Sequence, residues 1–277
     1  MSDKATDAPT DERGYYTYER LKTPRRQGKP RKTGVTAMID VGPSDFGWTG
    51  PRGLKDLLDY GADAIDYAKI YAINALDYPP PLIEKIIGIY RDYDVVPFAG
   101  GILFETAYHQ NAVDELITHL DRIGLGMLEV SENYLELEHD DRLKQIDILQ
   151  KAGLKVVYEF GRKMPTEPLS IDYLGSLVEE MIGIGVDHVI VEQSEIDMLA
   201  EENPQALQAL PQQKWFEHCV LEPDPYAFPA QHIQMIEDFG SDVSLCNVTP
   251  EQVLKLEGFR RGIGRPVHYS YLSEALK

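Results

Sequence analysis

Eight short β-rich runs recur along this chain about 30 residues apart, and that rhythm constrains the fold more than any other feature. They fall at 35–39, 64–70, 95–99, 127–130, 155–158, 188–191, 219–221 and 243–246. Between them, segments with apolar residues three and four apart lie at 54–60, 82–90, 113–123, 142–152, 173–184, 230–239 and 251–259. Gly153, Gly185 and Gly240 stand where such helices stop, and Thr249-Pro250 reads as a helix start with Thr249 as cap. Strands alternating with helices form parallel sheets, and eight such units predict an α/β fold, a (β/α)8 TIM barrel. An open doubly wound sheet is the competing arrangement. It would want a Gly-rich phosphate loop after the first strand, and Asp40-Val41-Gly42-Pro43 is not one.

A chain of 277 residues suits one such barrel. The polar stretch 1–30 reads as a flexible N-terminal arm, with its Lys29-Pro30-Arg31-Lys32 end a solvated lead-in, and 31–277 as the single barrel domain. A net charge of −19, from 46 acidic and 27 basic residues, argues against a nucleic-acid surface or docking on anionic lipid. Cys219 and Cys246 lie in apolar runs and are expected to be buried, reduced thiols. Residues 1–28 contain no apolar signal core, and no apolar run approaches the roughly 18 residues of a membrane span. The expectation is a cytoplasmic protein, not bound to membrane or nucleic acid, self-associating as a homo-oligomer.

In a barrel the last inward residue of each strand faces the active site. The strand ends read Asp40, Lys69, Gly100-Gly101, Glu129, Glu159, Glu192, Glu222 and Asn247. Each Glu lies two positions after an apolar residue (Met127, Val157, Ile190 or Val220), so period-two geometry sends its side chain toward the axis, above the packed core. Four carboxylates on one rim repel one another unless protons, lysines or a cation intervene. Mg²⁺, a hard ion that takes oxygen ligands, is the simplest cation, which makes Glu129, Glu159, Glu192 and Glu222 candidate metal ligands. Ordinary rim salt bridges to Lys69 or Lys163 are the alternative. Lys69 inside the rim is expected to contact substrate or carboxylate. Lys163, in the loop after the fifth run, reads as a solvated lysine or as a proton donor among carboxylates. Gly100-Gly101 offers backbone N–H groups to an anionic oxygen, or packs tightly. Glu105 reaches the rim or caps the next helix, and His188 reads as a satisfied core histidine.

Several segments together resemble the phosphosulfolactate synthases. They are Ile65-Asp66-Tyr67-Ala68-Lys69, Gly100-Gly101-Ile102-Leu103-Phe104-Glu105, Leu128-Glu129-Val130-Ser131, Glu159-Phe160-Gly161-Arg162-Lys163-Met164-Pro165, Val189-Ile190-Val191-Glu192, and the stretches ending at Asn247 and at Arg260-Arg261-Gly262. The resemblance covers most of 34–261. It implies a barrel lyase that adds sulfite to phosphoenolpyruvate with Mg²⁺, an early step toward coenzyme M. It also implies Lys163 as general acid, with Lys69 and Glu105 beside it as catalytic residues. A small anionic substrate would be bound by Gly100, Gly101, Arg162, Asn247, Arg260 and Arg261. The chain departs from the family pattern after strands one, two and six, where Val41, Tyr71-Ala72-Ile73-Asn74 and Ser194 stand, and two basic rim residues are missing. Arg52, Arg162 or Arg265 would have to compensate. The departures leave open a less anionic acceptor, or a non-catalytic, stress-associated barrel protein.

Overall fold

Runs such as Val-Val-Tyr and Val-Ile-Val are apolar on both faces, and the chain buries both. A computed structural model describes residues 9–44 and 48–275. Its strands are β1 (Thr36–Asp40), β2 (Tyr67–Ile70), β3 (Val96–Ala99), β4 (Met127–Val130), β5 (Lys155–Phe160), β6 (Val189–Val191), β7 (Cys219–Leu221) and β8 (Leu245–Val248). They pair in parallel in chain order, and β8 returns to β1, closing the (β/α)8 barrel. The helices are α1 (Pro51–Gly61), α2 (Asn74–Asp77), α3 (Pro80–Asp92), α4 (Gly101–His109), α5 (Val113–Ile123), α6 (His139–Lys151), α7 (Ile171–Gly183), α8 (Gln193–Glu202), α9 (Pro204–Ala209), α10 (Ala230–Phe239), α11 (Val253–Arg260) and α12 (Ser270–Ala275). None of the described helices is long and apolar enough to cross a membrane.

Alternate strand residues sort the core into two bodies. Ala37, Phe98, Met127, Val157, Ile190, Val220 and Cys246 fill the barrel's interior. Met38, Ala68, Leu128, Val156, Val189 and Leu221, among others, face the helices. Both cysteines are buried and free, and burial pushes the Cys219 thiol up to about 12. Gly153, Gly185 and Gly240 follow their helices at φ +90°, +87° and +91°, the backbone region that suits glycine at a helix stop.

Three local expectations change. Residues 62–64 form a 3₁₀ turn, so β2 begins at Tyr67. The turn 249–252 precedes α11, and Thr249 Oγ1 donates to Glu251 Oε1 at 2.6 Å in place of capping the helix. The basic lead-in is tied down: Lys29 Nζ donates to the carbonyl of Ile65 at 3.0 Å, and Arg31 pairs with Asp66 at 3.0 Å with both side chains buried. Arg26 pairs with Glu257 of α11 at 2.6 Å. Residues 9–31 thus rest against the amino ends of β1 and β2, while 1–8 of the expected arm lie outside the described residues.

Candidate active site

Two residues past the apolar interior layer, the strands change chemistry. Lys69 follows Tyr67, Glu129 follows Met127, Glu159 follows Val157, Glu192 follows Ile190, and Glu222 follows Val220. Period two keeps each on the inward face, and strand tilt brings them to one mouth. Lys69 Nζ lies 2.9 Å from Glu129 Oε2, 3.6 Å from Glu159 Oε2 and 4.0 Å from Glu222 Oε2. Lys163 reaches in from the β5–α7 loop, donating to Glu192 and lying 3.3 Å from Glu222 Oε1 and 3.7 Å from Glu159 Oε1. Gly161 makes that approach possible. Its φ is +113°, and a Cβ there would sit 2.8 Å from Glu192 Cβ and 2.6 Å from Glu195 Cγ.

The charges interlock. Burial works against the Lys69 ammonium, but Glu129, Glu159 and Glu222 outweigh it and keep it charged well above the ordinary range. Burial, and after it the neighbouring Glu159, raise Glu129 far above the usual carboxylate range against the pull of Lys69. Burial alone would raise Glu159 too, yet Lys69, the Glu129 hydrogen bond and Lys163 hold it well below. Glu192 is pushed up to about 8, by burial and then by Glu222, and burial raises Glu222 likewise. Four carboxyls against two ammoniums leave two negative charges in excess, and retained protons offset them.

A divalent cation could take the place of those protons. Glu159, Glu192 and Glu222 each offer an oxygen, and the three atoms lie within 4.8 Å of one another. Glu222 Oε2 is buried without a hydrogen-bond donor. An all-oxygen, net-negative donor set with an orphaned oxygen suits a hard ion such as Mg²⁺. Glu129 stands outside this triad, engaged by Lys69 and by the Gly101 N–H at 2.9 Å.

Other expected site residues are placed differently. The Gly100 N–H donates to the Ile70 carbonyl at 3.0 Å and the Gly101 N–H to Glu129, so neither is open to a substrate oxygen. A Cβ on Gly101 would meet Ser131 Oγ at 2.2 Å, so close packing explains that glycine. Glu105 accepts from the Ser131 hydroxyl and from the backbone N–H groups of Asn133 (3.0 Å) and Tyr134 (2.8 Å). These bonds tie Glu105 to the loop after β4. Asp40 shares the outward face of Met38 and accepts from Tyr90 at 2.6 Å and Thr49, away from the mouth. Arg260 and Arg261 lie at the opposite end of the barrel. Arg260 donates to the carbonyls of Ser241 (2.8 Å) and Val243, and Arg261 to that of Pro24 (2.7 Å), because a helix that returns from the mouth ends at the strands' amino termini. Arg162 is exposed beside the mouth and pairs with Glu136 at 3.0 Å. Asn247 is buried in β8 at φ +50° with its Oδ1 unpartnered. His188 is buried at the floor, with Nδ1 2.9 Å from Asp187 but Nε2 lacking a partner.

Sequence reasoning missed Asn133, whose Nδ2 donates to Glu159 Oε1 at 3.3 Å. Its position in the loop just past β4 was the only available signal.

The chain has known relatives. The family model for (2R)-phospho-3-sulfolactate synthase (ComA) matches residues 24–265. The chain is similar to the phosphosulfolactate synthase of Methanothermobacter thermautotrophicus, 29% identical over 87% of this chain and 93% of that one. It is also 26% identical to that of Methanocaldococcus jannaschii, over 83% of this chain and 92% of that one. Among solved structures, N-acetylneuraminate lyase from Fusobacterium nucleatum matches 88% of this chain and 79% of its own, with a TM-score of 0.53 at 13% identity, which shows a shared barrel fold. The chain belongs to the (2R)-phospho-3-sulfolactate synthase (ComA) family.

Proposed function

We propose that this enzyme, a C–S bond-forming lyase by family, adds sulfite to phosphoenolpyruvate or a similar enol-type carboxylic acid, with Lys163 as general acid. The observation that carries the reading is the contrast between the two ammoniums. Both face three carboxylates, but Lys69 is 8% exposed whereas Lys163 is 40% exposed at the entrance, so Lys163 is the one placed to meet a substrate. In the reaction the sulfur lone pair forms the C–S bond at the methylene carbon. The C=C pair moves toward the central carbon and its carboxylate, and Lys163 Nζ delivers a proton to that carbon. No group leaves. Lys163, 40% exposed at the entrance, recovers its proton from solvent. Glu159, Glu192 and Glu222 would hold Mg²⁺, which when bound supplies charge stabilisation for the developing enolate. Lys69 and Asn133 keep Glu159 in place.

A second reading keeps this mouth and changes the acceptor for a less anionic one. It is favoured by Val41 and Ser194, which bring no charge, and by the pairing of both ammoniums with carboxylates. Ser194 Oγ instead donates to the Arg162 carbonyl at 2.6 Å.

Incubation with phosphoenolpyruvate, sulfite and Mg²⁺, followed by mass spectrometry with and without EDTA, tests the proposal. A metal-dependent sulfonated product is expected. Folded, metal-binding protein that yields none would favour the changed acceptor.

A further inference from the structure

The floor of the barrel carries a second charged feature that the mouth chemistry does not use. Residues 9–31 and α11 enclose a cavity of about 350 Å³ lined by five arginines, Arg13, Arg25, Arg26, Arg31 and Arg261, with Tyr15 and Tyr60 among its walls. In a chain of net charge −19 this is a marked concentration of positive charge. Asp63 and Glu257 line it too, and Asp11 and Asp66 pair with its arginines from behind.

The arginines divide into two sets. Arg31 is committed to the fold through Asp66 and the Asp63 carbonyl, and Arg26 largely so through Glu257 and the Gly34 carbonyl. Arg25 is committed too, through Asp11 and the Tyr16 carbonyl at 3.1 Å, whereas Arg261 and Arg13 keep donors in reserve. Arg261 makes a single bond, from Nε to the Pro24 carbonyl at 2.7 Å, and the Arg13 guanidinium has no ion pair closer than 3.7 Å, to Asp11. Arg26 Nε is buried with no partner. The Tyr15 ring holds two guanidinium groups near the cavity, those of Arg13 and Arg25 at 5.5 Å and 5.1 Å from its centroid. Planar guanidinium forks with spare N–H groups match the oxygens of phosphoryl anions. The volume is at the lower end of the roughly 300–1,000 Å³ typical of small-molecule sites, so the occupant is compact.

We propose that this floor cavity is a binding site for a phosphoryl anion, separate from the barrel mouth, and that its occupation clamps residues 9–31 onto the barrel. A bare oligophosphate and the phosphate end of a nucleotide share the chemistry required.

Isothermal titration and thermal melting of the full chain, at fixed ionic strength and without divalent metal, test it with three probes: pyrophosphate, ADP and sulfate. Saturable binding of pyrophosphate or ADP is expected, with a rise in Tm of a few degrees that equal sulfate does not reproduce. Tighter pyrophosphate would identify a bare phosphate chain as the ligand, and tighter ADP a nucleotide; either supports the site. Arg261→Gln, which removes a guanidinium held by a single bond, is expected to weaken binding by about tenfold or more. Arg13→Gln removes a side chain with no close ion pair, so it should fold normally and also bind more weakly. Equal effects of sulfate and pyrophosphate, or wild-type affinity in both variants, would overturn the proposal. Neither variant touches the mouth, so failure here leaves the proposed C–S chemistry untouched.

Discussion

The barrel's interior stacks two layers a single side-chain repeat apart. The lower is Met127, Val157, Ile190 and Val220 with their neighbours, apolar and closely packed. The upper is Glu129, Glu159, Glu192 and Glu222, threaded by Lys69 and Lys163. Both are buried on the same strands, so backbone and solvent exclusion are held constant and only the side chains differ. Burial stabilises the lower layer through area removed from water. In the upper layer the same burial acts against every charge, and the group holds together through mutual pairing and retained protons. The lower layer serves the fold, and the upper is a costly arrangement that the fold supports.

The comparison can be broken in steps. Lys163→Ala should have the largest effect, lowering turnover about 10²–10⁴-fold, the usual share of a general acid, with Tm near wild type because the residue is half-exposed. A large loss of Tm would make Lys163 structural. Next, Lys69→Met leaves the Glu159 carboxylate buried without its main counter-ion and should cost about 3–5 kcal/mol in denaturant unfolding. Pairing it with Glu129→Leu, which extends the apolar layer upward, should recover much of that loss. No recovery would contradict the view that the ionic layer costs stability. Met127→Ala, two residues below Glu129, should cost about 2–5 kcal/mol through the cavity it leaves, while the enzyme that remains folded keeps most of its turnover.

The smallest effect concerns pH. Glu192 has a folded value of about 8, above the roughly 4.3 of an unfolded glutamate, so folding favours its protonated form. Its contribution is fully present below the unfolded value and is lost as pH rises through 8. Metal-free protein should therefore be less stable at pH 9 than at pH 6, and Glu192→Gln should narrow the gap by on the order of 1 kcal/mol. An unchanged gap would mean that other groups set it.

Much of the fold was legible because a parallel barrel writes its strands as near-continuous apolar runs at a regular interval. The inward Glu series was legible for a related reason, since period two fixes which residue shares a face with Met127 or Val157. What the sequence did not show was each residue's partners. The free N–H groups expected at Gly100-Gly101 are taken by Ile70 and Glu129, and Glu105 is absorbed by its own loop. Arg260 and Arg261 were matched by motif to substrate binding, although the end of a returning helix belongs at the floor. Helix α4 escaped notice because its Ile-Leu-Phe run begins on two glycines and shows little periodicity. The segment 193–213 holds α8 and α9, which none of the expected helical segments covers.

The central claim, that the upper layer is a seat for a divalent cation, is tested most directly by counting free Mn²⁺ by electron paramagnetic resonance as protein is added. The account predicts one bound ion per chain in the wild type, lost in a Glu159→Gln/Glu222→Gln variant that retains its fold. Absence of binding in the wild type, or equal binding by that variant, would contradict it.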